Sequence, residues 1–369
     1  MIVGTPKEIK DQEFRVGLVP GGVRRLVDSR HQVLVERNAG EGSGVSDNDY
    51  STEGAQPVSR DEVWKRADLV VKVKEPQPSE WPLVRESQIL LTFFHFASSR
   101  ELTEAMIHSG ATCVAYETVE TVNGHHPLLT PMSEIAGRLS IQQGAKYLER
   151  TTGGRGVLMG GVPGVHSAHV LVLGGGTVGA SAAKVANGME ARVTVMDVNL
   201  DRLRYLEDVF PANVSTLYAS PTNIREMLQT ADIVIGAAHL SGAKAPYLLS
   251  RADLKYLREG AVVVDVAIDQ GGCFETSRPT THSNPTFVVD GIVHYCVSNM
   301  PGCVPRTSTY ALTNATAPYV GRIADLGIPE VFIQDPALRR GVNIAKGKVT
   351  HPAVAEAFGL AYTPVEEVF

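Results

Sequence analysis

Residues 170–197, VLVLGGGTVGASAAKVANGMEARVTVMD, constrain the fold of this chain more than any other stretch. They read as a strand, a glycine turn, a helix, a second strand and a terminal acid. The apolar run 170–173 is short and uninterrupted, as a parallel strand buried on both faces requires. Gly174, Gly176 and Gly179 then follow in the spacing GxGxxG. The first glycine permits a tight turn, the second lets the backbone approach a pyrophosphate, and the third lets the helix lie close on the strand. Thr177 and Val178 open that helix, whose N-terminal N–H groups and dipole favour phosphate. A second apolar run, 193–196, ends at Asp197, about 20 residues downstream, where a carboxylate meets adenosine ribose hydroxyls. An acid there favours NAD over NADP, because a 2′-phosphate would face its charge. With 35 glycines in the chain, the spacing alone carries little, and the surrounding strand, helix and acid carry the assignment.

The length of 369 residues suggests two or three domains, and 43% hydrophobic with 20% charged residues is ordinary for a globular protein. The net charge of −6 contains no basic block, which argues against nucleic acid and against a polybasic membrane surface. The start, MIVGTPKEIKDQEFR, has no apolar core of a secretory signal, and no apolar run approaches a membrane span. Cys113, Cys273, Cys296 and Cys303 have neither CxxC spacing nor disulfide-scaffold density, so a reducing, cytoplasmic setting is expected. Small-molecule chemistry is the default these facts leave.

Apolar runs at 2–3, 33–35, 69–73, 89–91 and 112–115, separated by helical patterns, suggest a first α/β domain with its own parallel sheet. A helix is expected over 133–149, and the glycine-rich segment 153–165 reads as a strand pair or covering loop. Beyond Asp197 come a helix at 200–210, a strand at 216–217, a helix at 222–229, and the buried strands of ADIVIGAA and GAVVVDVAID. These complete a doubly wound domain whose ligands lie beyond the C-terminal strand ends. From residue 306 onward the pattern is helical, broken by Pro329, Pro336 and Pro352, and can return to the first domain. The expected architecture is α/β: two doubly wound Rossmann-like domains, with 130–305 inserted between 1–129 and 306–369.

Hydride transfer at a carbon bearing an amine or hydroxyl needs a cation for the substrate carboxylate, an acid/base, and a group that steers water or ammonia. Arg15, in the loop EFRVGLVP, suits a bidentate carboxylate clamp, although local pattern alone favours a surface ion pair. Lys74 ends LVVKVK on the same strand face as Lys72, and either contacts substrate or solvates an edge. His95, in LLTFFHFASS, sits in an aromatic setting past a buried strand, where a neutral imidazole transfers protons or is a packed core residue. Asp269 follows VVVDVAI at a strand end, whereas Asp265 inside that strand reads as structural. No HExxH, zinc-spaced Cys/His cluster, GxSxG elbow or Walker loop is present.

Taken in order, VGTPKEIKDQEFRVGLVPGGV, VVKVKEP, GRGVLMGGVPGV, VLGGGTVGASAAKVA, GAKAP, VDVAIDQGGCFE, SNMPG and TSTYALTNAT resemble the alanine dehydrogenase family and its relatives, the nucleotide-binding subunits of proton-translocating transhydrogenase. The resemblance covers nearly the whole chain. It implies reversible oxidative deamination of L-alanine to pyruvate and ammonium with NAD, by a cytoplasmic homohexamer whose two domains close over a cleft. Arg15 and Lys74 then match the substrate-holding cations, His95 the acid/base, and Asp269 the acid that orients water or ammonia. Ser133 and Asn299 match cofactor contacts, with Arg202 near the adenosine end. Ala238, His239 and Leu240, then Ile268, Asp269, Val297 and Met300, complete the implied NAD site.

This chain departs from that pattern in places. Glu190 stands where relatives have glycine at a helix C-terminus, which predicts a stability cost. His239 and Ser241 replace apolar residues and proline, and Phe93, Phe94 and Phe96 add aromatic bulk around His95. Some relatives bind a metal through a glutamate matching Glu117 and a later histidine, but Leu326 occupies the later position, so no metal is expected. A transhydrogenase subunit or a non-catalytic NAD sensor is the alternative, and retention of Arg15, Lys74, His95 and Asp269 together favours the dehydrogenase.

Overall fold

The computed structural model describes residues 1–238 and 247–369, so His239, Leu240 and Ser241 lie outside the described residues. The chain divides into two compact units, Met1–Met132 with Val304–Phe369, and Ser133–Cys303.

The first unit begins with β1 (Ile2–Thr5), β2 (Gln32–Glu36), β3 (Gln56–Val58), β4 (Leu69–Val71), β5 (Ile89–Thr92) and β6 (Thr112–Ala115). They lie in the order β3-β2-β1-β4-β5-β6 and run parallel. Every residue of β4, β5 and β6 is buried, as strands covered on both faces must be. Pro57 sits in the edge strand β3, the place where a missing N–H costs least. Because strand order reverses between β1 and β4, the loops leaving those two strands diverge to opposite faces and leave a crevice at their C-terminal ends.

The second unit holds β7 (His169–Leu173), β8 (Arg192–Asp197), β9 (Val214–Tyr218), β10 (Ile233–Gly236), β11 (Val262–Asp265), β12 (Thr286–Val289) and β13 (Ile292–Tyr295). Their order is β9-β8-β7-β10-β11-β13-β12, parallel except for the β12–β13 hairpin. The reversal lies between β7 and β10, where the glycine turn leaves β7. Both units are thus doubly wound and Rossmann-like.

The helix expected at 133–149 is Thr130–Tyr147, and that at 222–229 is Pro221–Leu228. Segment 153–165 forms turns with a single bridge between Val162 and Val165, not a strand pair. The C-terminal part is not all helical. After helix Pro305–Leu326, β14 (Val342–Ala345) and β15 (Lys348–Val349) add antiparallel strands beside β6, widening the first sheet to eight. Asn343, mid-strand and 1% exposed, breaks the apolar run that marks buried strands, and its amide instead meets the Thr118 hydroxyl at 2.8 Å.

Phe94 and Phe96 join Trp64, Leu90, Leu102 and Met106 in the core of the first unit. Their rings stack at 4.4 Å. They therefore stabilise the fold and add no bulk beside His95, contrary to the expectation from sequence. Only Phe93 faces that imidazole, stacking on it at 5.9 Å with a 4° interplanar angle.

Candidate functional site

Each of the three fingerprint glycines of the second unit meets a different steric demand. Gly174 has φ of +105°, and a Cβ there would lie 2.7 Å from the Ala237 backbone. A Cβ on Gly179 would fall 1.8 Å from the Gly174 carbonyl oxygen, so helix Thr177–Gly188 can lie this close to β7 only without one. Gly176 differs, with nothing within 4 Å of its Cβ position. It is also the N-cap of the helix, with no side-chain cap and no acid in the first turn. Exposed Thr177 and half-buried Val178 follow. The first N–H groups there have no intrahelical partner, and the dipole adds partial positive charge, so the cradle fits a pyrophosphate.

Asp197, ending β8, accepts from the amides of Gly175 at 2.6 Å and Asn199 at 2.8 Å. Arg202 donates from Nε to the Gly175 carbonyl at 2.5 Å and lies over the Tyr205 ring. Acid and arginine thus hold the glycine turn from both sides. Ala238 follows β10 at the same sheet edge.

At the neighbouring strand ends, exposed Asp269 sits in the single turn Ile268–Gln270 after β11. Its Oδ2 accepts from the Asn299 amide at 3.2 Å. Asn299 has φ of +59°, a left-handed conformation that costs a non-glycine residue about 1 kcal/mol, and this aims its N–H at the carboxylate. Asp265 serves structure, as the sequence reading held: wholly buried, it accepts from the amides of Ala267, Cys273 and Phe274 and so clasps the loop carrying Asp269. Ile268, Val297 and Met300 are buried. Ser133 lies half-buried in the first turns of helix Thr130–Tyr147. Burial pushes the Cys273 thiol up and that of Cys296 up to about 12, so neither is poised as a nucleophile.

In the first unit, Arg15, Lys74 and His95 follow β1, β4 and β5, three adjacent parallel strands, and so share one sheet edge at the order reversal. Arg15 is 2% exposed and meets Glu13 through Nε at 2.7 Å and Nη2 at 2.6 Å. The ion pair anticipated as an alternative is therefore present, but buried rather than on the surface. It takes two of the five guanidinium donors and fixes the plane of the rest, with Nη1 3.1 Å from the Met132 sulfur. Lys74 is 8% exposed, which removes edge solvation as its role.

The side chain of His95 is 46% exposed, not packed in a core, and its backbone is left-handed at φ +51°. Glu117 holds that conformation by accepting from the amides of His95 at 2.6 Å and Phe94 at 3.2 Å. Its carboxylate lies 4.0 Å from His95 Nδ1. Sequence reading noticed Glu117 only through a metal site of relatives and passed over Glu13. Both are acids close in space to a candidate residue, and only the Glu13–Arg15 spacing carried a local signal.

The chain matches two family descriptions, "Alanine dehydrogenase/PNT, N-terminal domain" over 4–136 and "Alanine dehydrogenase/PNT, C-terminal domain" over 140–352. It is 52% identical to the alanine dehydrogenase of Mycobacterium tuberculosis across 98% of both chains. A solved L-alanine dehydrogenase superposes with a TM-score of 0.95 at 51% identity, covering 97% of this chain and 99% of that one. A transhydrogenase from Sinorhizobium meliloti gives a TM-score of 0.82 at 24% identity over 96% of this chain and 100% of that one, a likeness of fold alone.

Proposed function

The chain belongs to the alanine dehydrogenase/PNT family and is an amino-acid dehydrogenase, and on that premise we propose that it interconverts L-alanine with pyruvate and ammonium using NAD. The observation that carries the reading is the placement of Arg15, Lys74 and His95 at one sheet edge of a chain 52% identical to an alanine dehydrogenase throughout.

The residues that would hold NAD are Gly174, Gly176, Thr177, Val178 and Gly179 at the pyrophosphate, and Asp197 with Arg202 at the adenosine. Asp197 disfavours a 2′-phosphate by charge, which selects NAD over NADP. When bound, the nicotinamide supplies or accepts the hydride.

The remaining chemistry falls to side chains. Arg15, its plane fixed by Glu13, holds the substrate carboxylate. Lys74 donates to the oxygen or nitrogen on the α-carbon and draws off charge as that bond polarises. In deamination, water adds to the imine carbon and ammonia leaves, and Asp269 orients whichever of the two is attacking. His95 takes the proton released by the attacking water and returns it to the departing amine. The balanced outcome is L-alanine, NAD⁺ and water giving pyruvate, ammonium, NADH and a proton. Alanine-dependent reduction of NAD by purified protein, weak or absent with NADP, tests this reading. Reduction that proceeds equally with both cofactors would remove the role given to Asp197.

A further inference from the structure

Behind the edge that carries Lys74 lies a second group of charges to which the proposed reaction gives no task. Glu8, Lys72 and Glu80 are 6%, 1% and 0% exposed. Lys72 Nζ donates to Glu8 Oε2 at 3.0 Å and to Glu80 Oε1 at 3.1 Å. The other carboxylate oxygens turn to the backbone. Glu8 Oε1 accepts from the amides of Val73 at 2.7 Å and Lys74 at 3.2 Å, and Glu80 Oε2 from that of Gln77 at 2.7 Å.

A buried ion cluster is a weak source of stability, since apolar residues of the same volume often do as well. Here the cost is visible: burial pushes the Glu8 carboxyl above its ordinary range despite Lys72, and burial of Lys72 is outweighed only because two carboxylates face it. What the cluster gains is local geometry. β4 ends at Val71, and the next amides are buried with the chain already turning. Val73 and Lys74 find their acceptor in one oxygen of Glu8, contributed from the loop after β1.

We propose that Glu8, Lys72 and Glu80 form a positioning cluster for Lys74. Glu8 clamps the amides at the base of the Lys74 side chain, Lys72 fixes the Glu8 carboxylate, and Glu80 fixes Lys72 together with the far end of the turn at Gln77. Although Lys72 and Lys74 share a strand face by period, they have separate tasks: the first orders the turn, the second meets the substrate. The task of Lys74 rests on the dehydrogenase reading, whereas the clamp itself does not.

The test compares full-length Glu8→Ala, which removes the acceptor, with Glu8→Gln, which keeps a carbonyl oxygen but no charge. Hydrogen exchange over 70–80 reads the clamp, pyruvate KM reads the placement of Lys74, and NADH affinity serves as the control. Glu8→Ala is expected to exchange at least tenfold faster at Val73 and Lys74 and to raise pyruvate KM at least tenfold, with NADH affinity within twofold of wild type. Glu8→Gln is expected to recover most of both. Unchanged exchange in Glu8→Ala, or equal losses in both variants, overturns the proposal. Should Glu8→Ala not fold, Lys72→Met decides, because it leaves the Glu8 acceptor but frees its orientation: faster exchange at Val73 and Lys74 supports the cluster, and wild-type exchange overturns it. Wild-type protein inactive on pyruvate and ammonium refutes the dehydrogenase reading instead, and the exchange result still decides the clamp.

Discussion

Glu117 holds His95 by its backbone rather than by its ring: the carboxylate accepts from the His95 amide at 2.6 Å while that residue sits at φ +51°. A left-handed histidine persists only where its surroundings over-determine it, and two amides converging on one carboxylate do so. Glu117→Ala is expected to lower kcat by roughly 10- to 100-fold through misplacement of the imidazole, with NADH affinity unchanged. Steady-state kinetics and a fluorescence titration check it. A variant with full kcat would mean that the left-handed turn forms without the acid.

Replacing His95, assigned to proton transfer, and Asp269, assigned to orienting the nucleophile, gives a second test. His95→Asn and Asp269→Asn are each expected to abolish measurable turnover while NADH still binds, because neither belongs to the pyrophosphate cradle. Turnover retained in both would remove them from the mechanism.

The glycine turn yields a contrast between neighbours. Gly176→Ala adds a methyl group into open space, so the fold is expected to stand while NADH binding weakens by tenfold or more, the methyl occupying the approach of the phosphate. Gly179→Ala must place its Cβ 1.8 Å from a carbonyl oxygen, and loss of soluble folded protein is expected. Thermal unfolding and calorimetric titration distinguish the two.

The departure at Glu190 is strained as the sequence led us to expect. It follows helix Thr177–Gly188 at φ +63°, exposed, and its side chain has no hydrogen-bond partner among the described residues. Glu190→Gly is expected to stabilise the protein by about 0.5–1 kcal/mol, a rise of roughly 1–3 °C in Tm. A lower Tm would show that the glutamate makes a stabilising contact.

His169 predicts the acid sensitivity of the second unit. Its ring bridges the hydroxyls of Thr230 and Thr194 at 2.9 Å each, and burial, reinforced by Arg192, lowers its pKa from 6.5 to about 4. The native state therefore rejects a proton that the unfolded chain accepts. Stability is full above pH 6.5, falls as pH drops toward 4 and levels below it, and this one residue contributes a loss of about 3 kcal/mol across that window. Denaturation midpoints across the same range, compared with His169→Gln, check it: the variant should show a shallower slope.

Sequence patterns revealed the parts of the fold that are local. The strand, turn, helix and acid of 170–197 could be placed because each glycine meets its own steric demand within a few residues. The β12–β13 hairpin also carried a local signal, Asp290-Gly291, both at positive φ between two apolar runs, and it was passed over. β14 carried none, because Asn343 interrupts its apolar run and its partner β6 lies more than two hundred residues away, so only tertiary pairing makes it a strand. The site divides in the same way. Arg15, Lys74, His95 and Asp269 stand at strand ends, where pattern points, whereas Glu8, Glu80 and the backbone-holding role of Glu117 became visible only when folding set these acids against backbone amides.

The most direct test of the central claim follows NADH absorbance in purified protein given pyruvate and ammonium together and each alone. Oxidation of NADH that requires both, with L-alanine formed in equal amount, is the predicted result. Clear NADH binding with no oxidation in the presence of both would contradict the account.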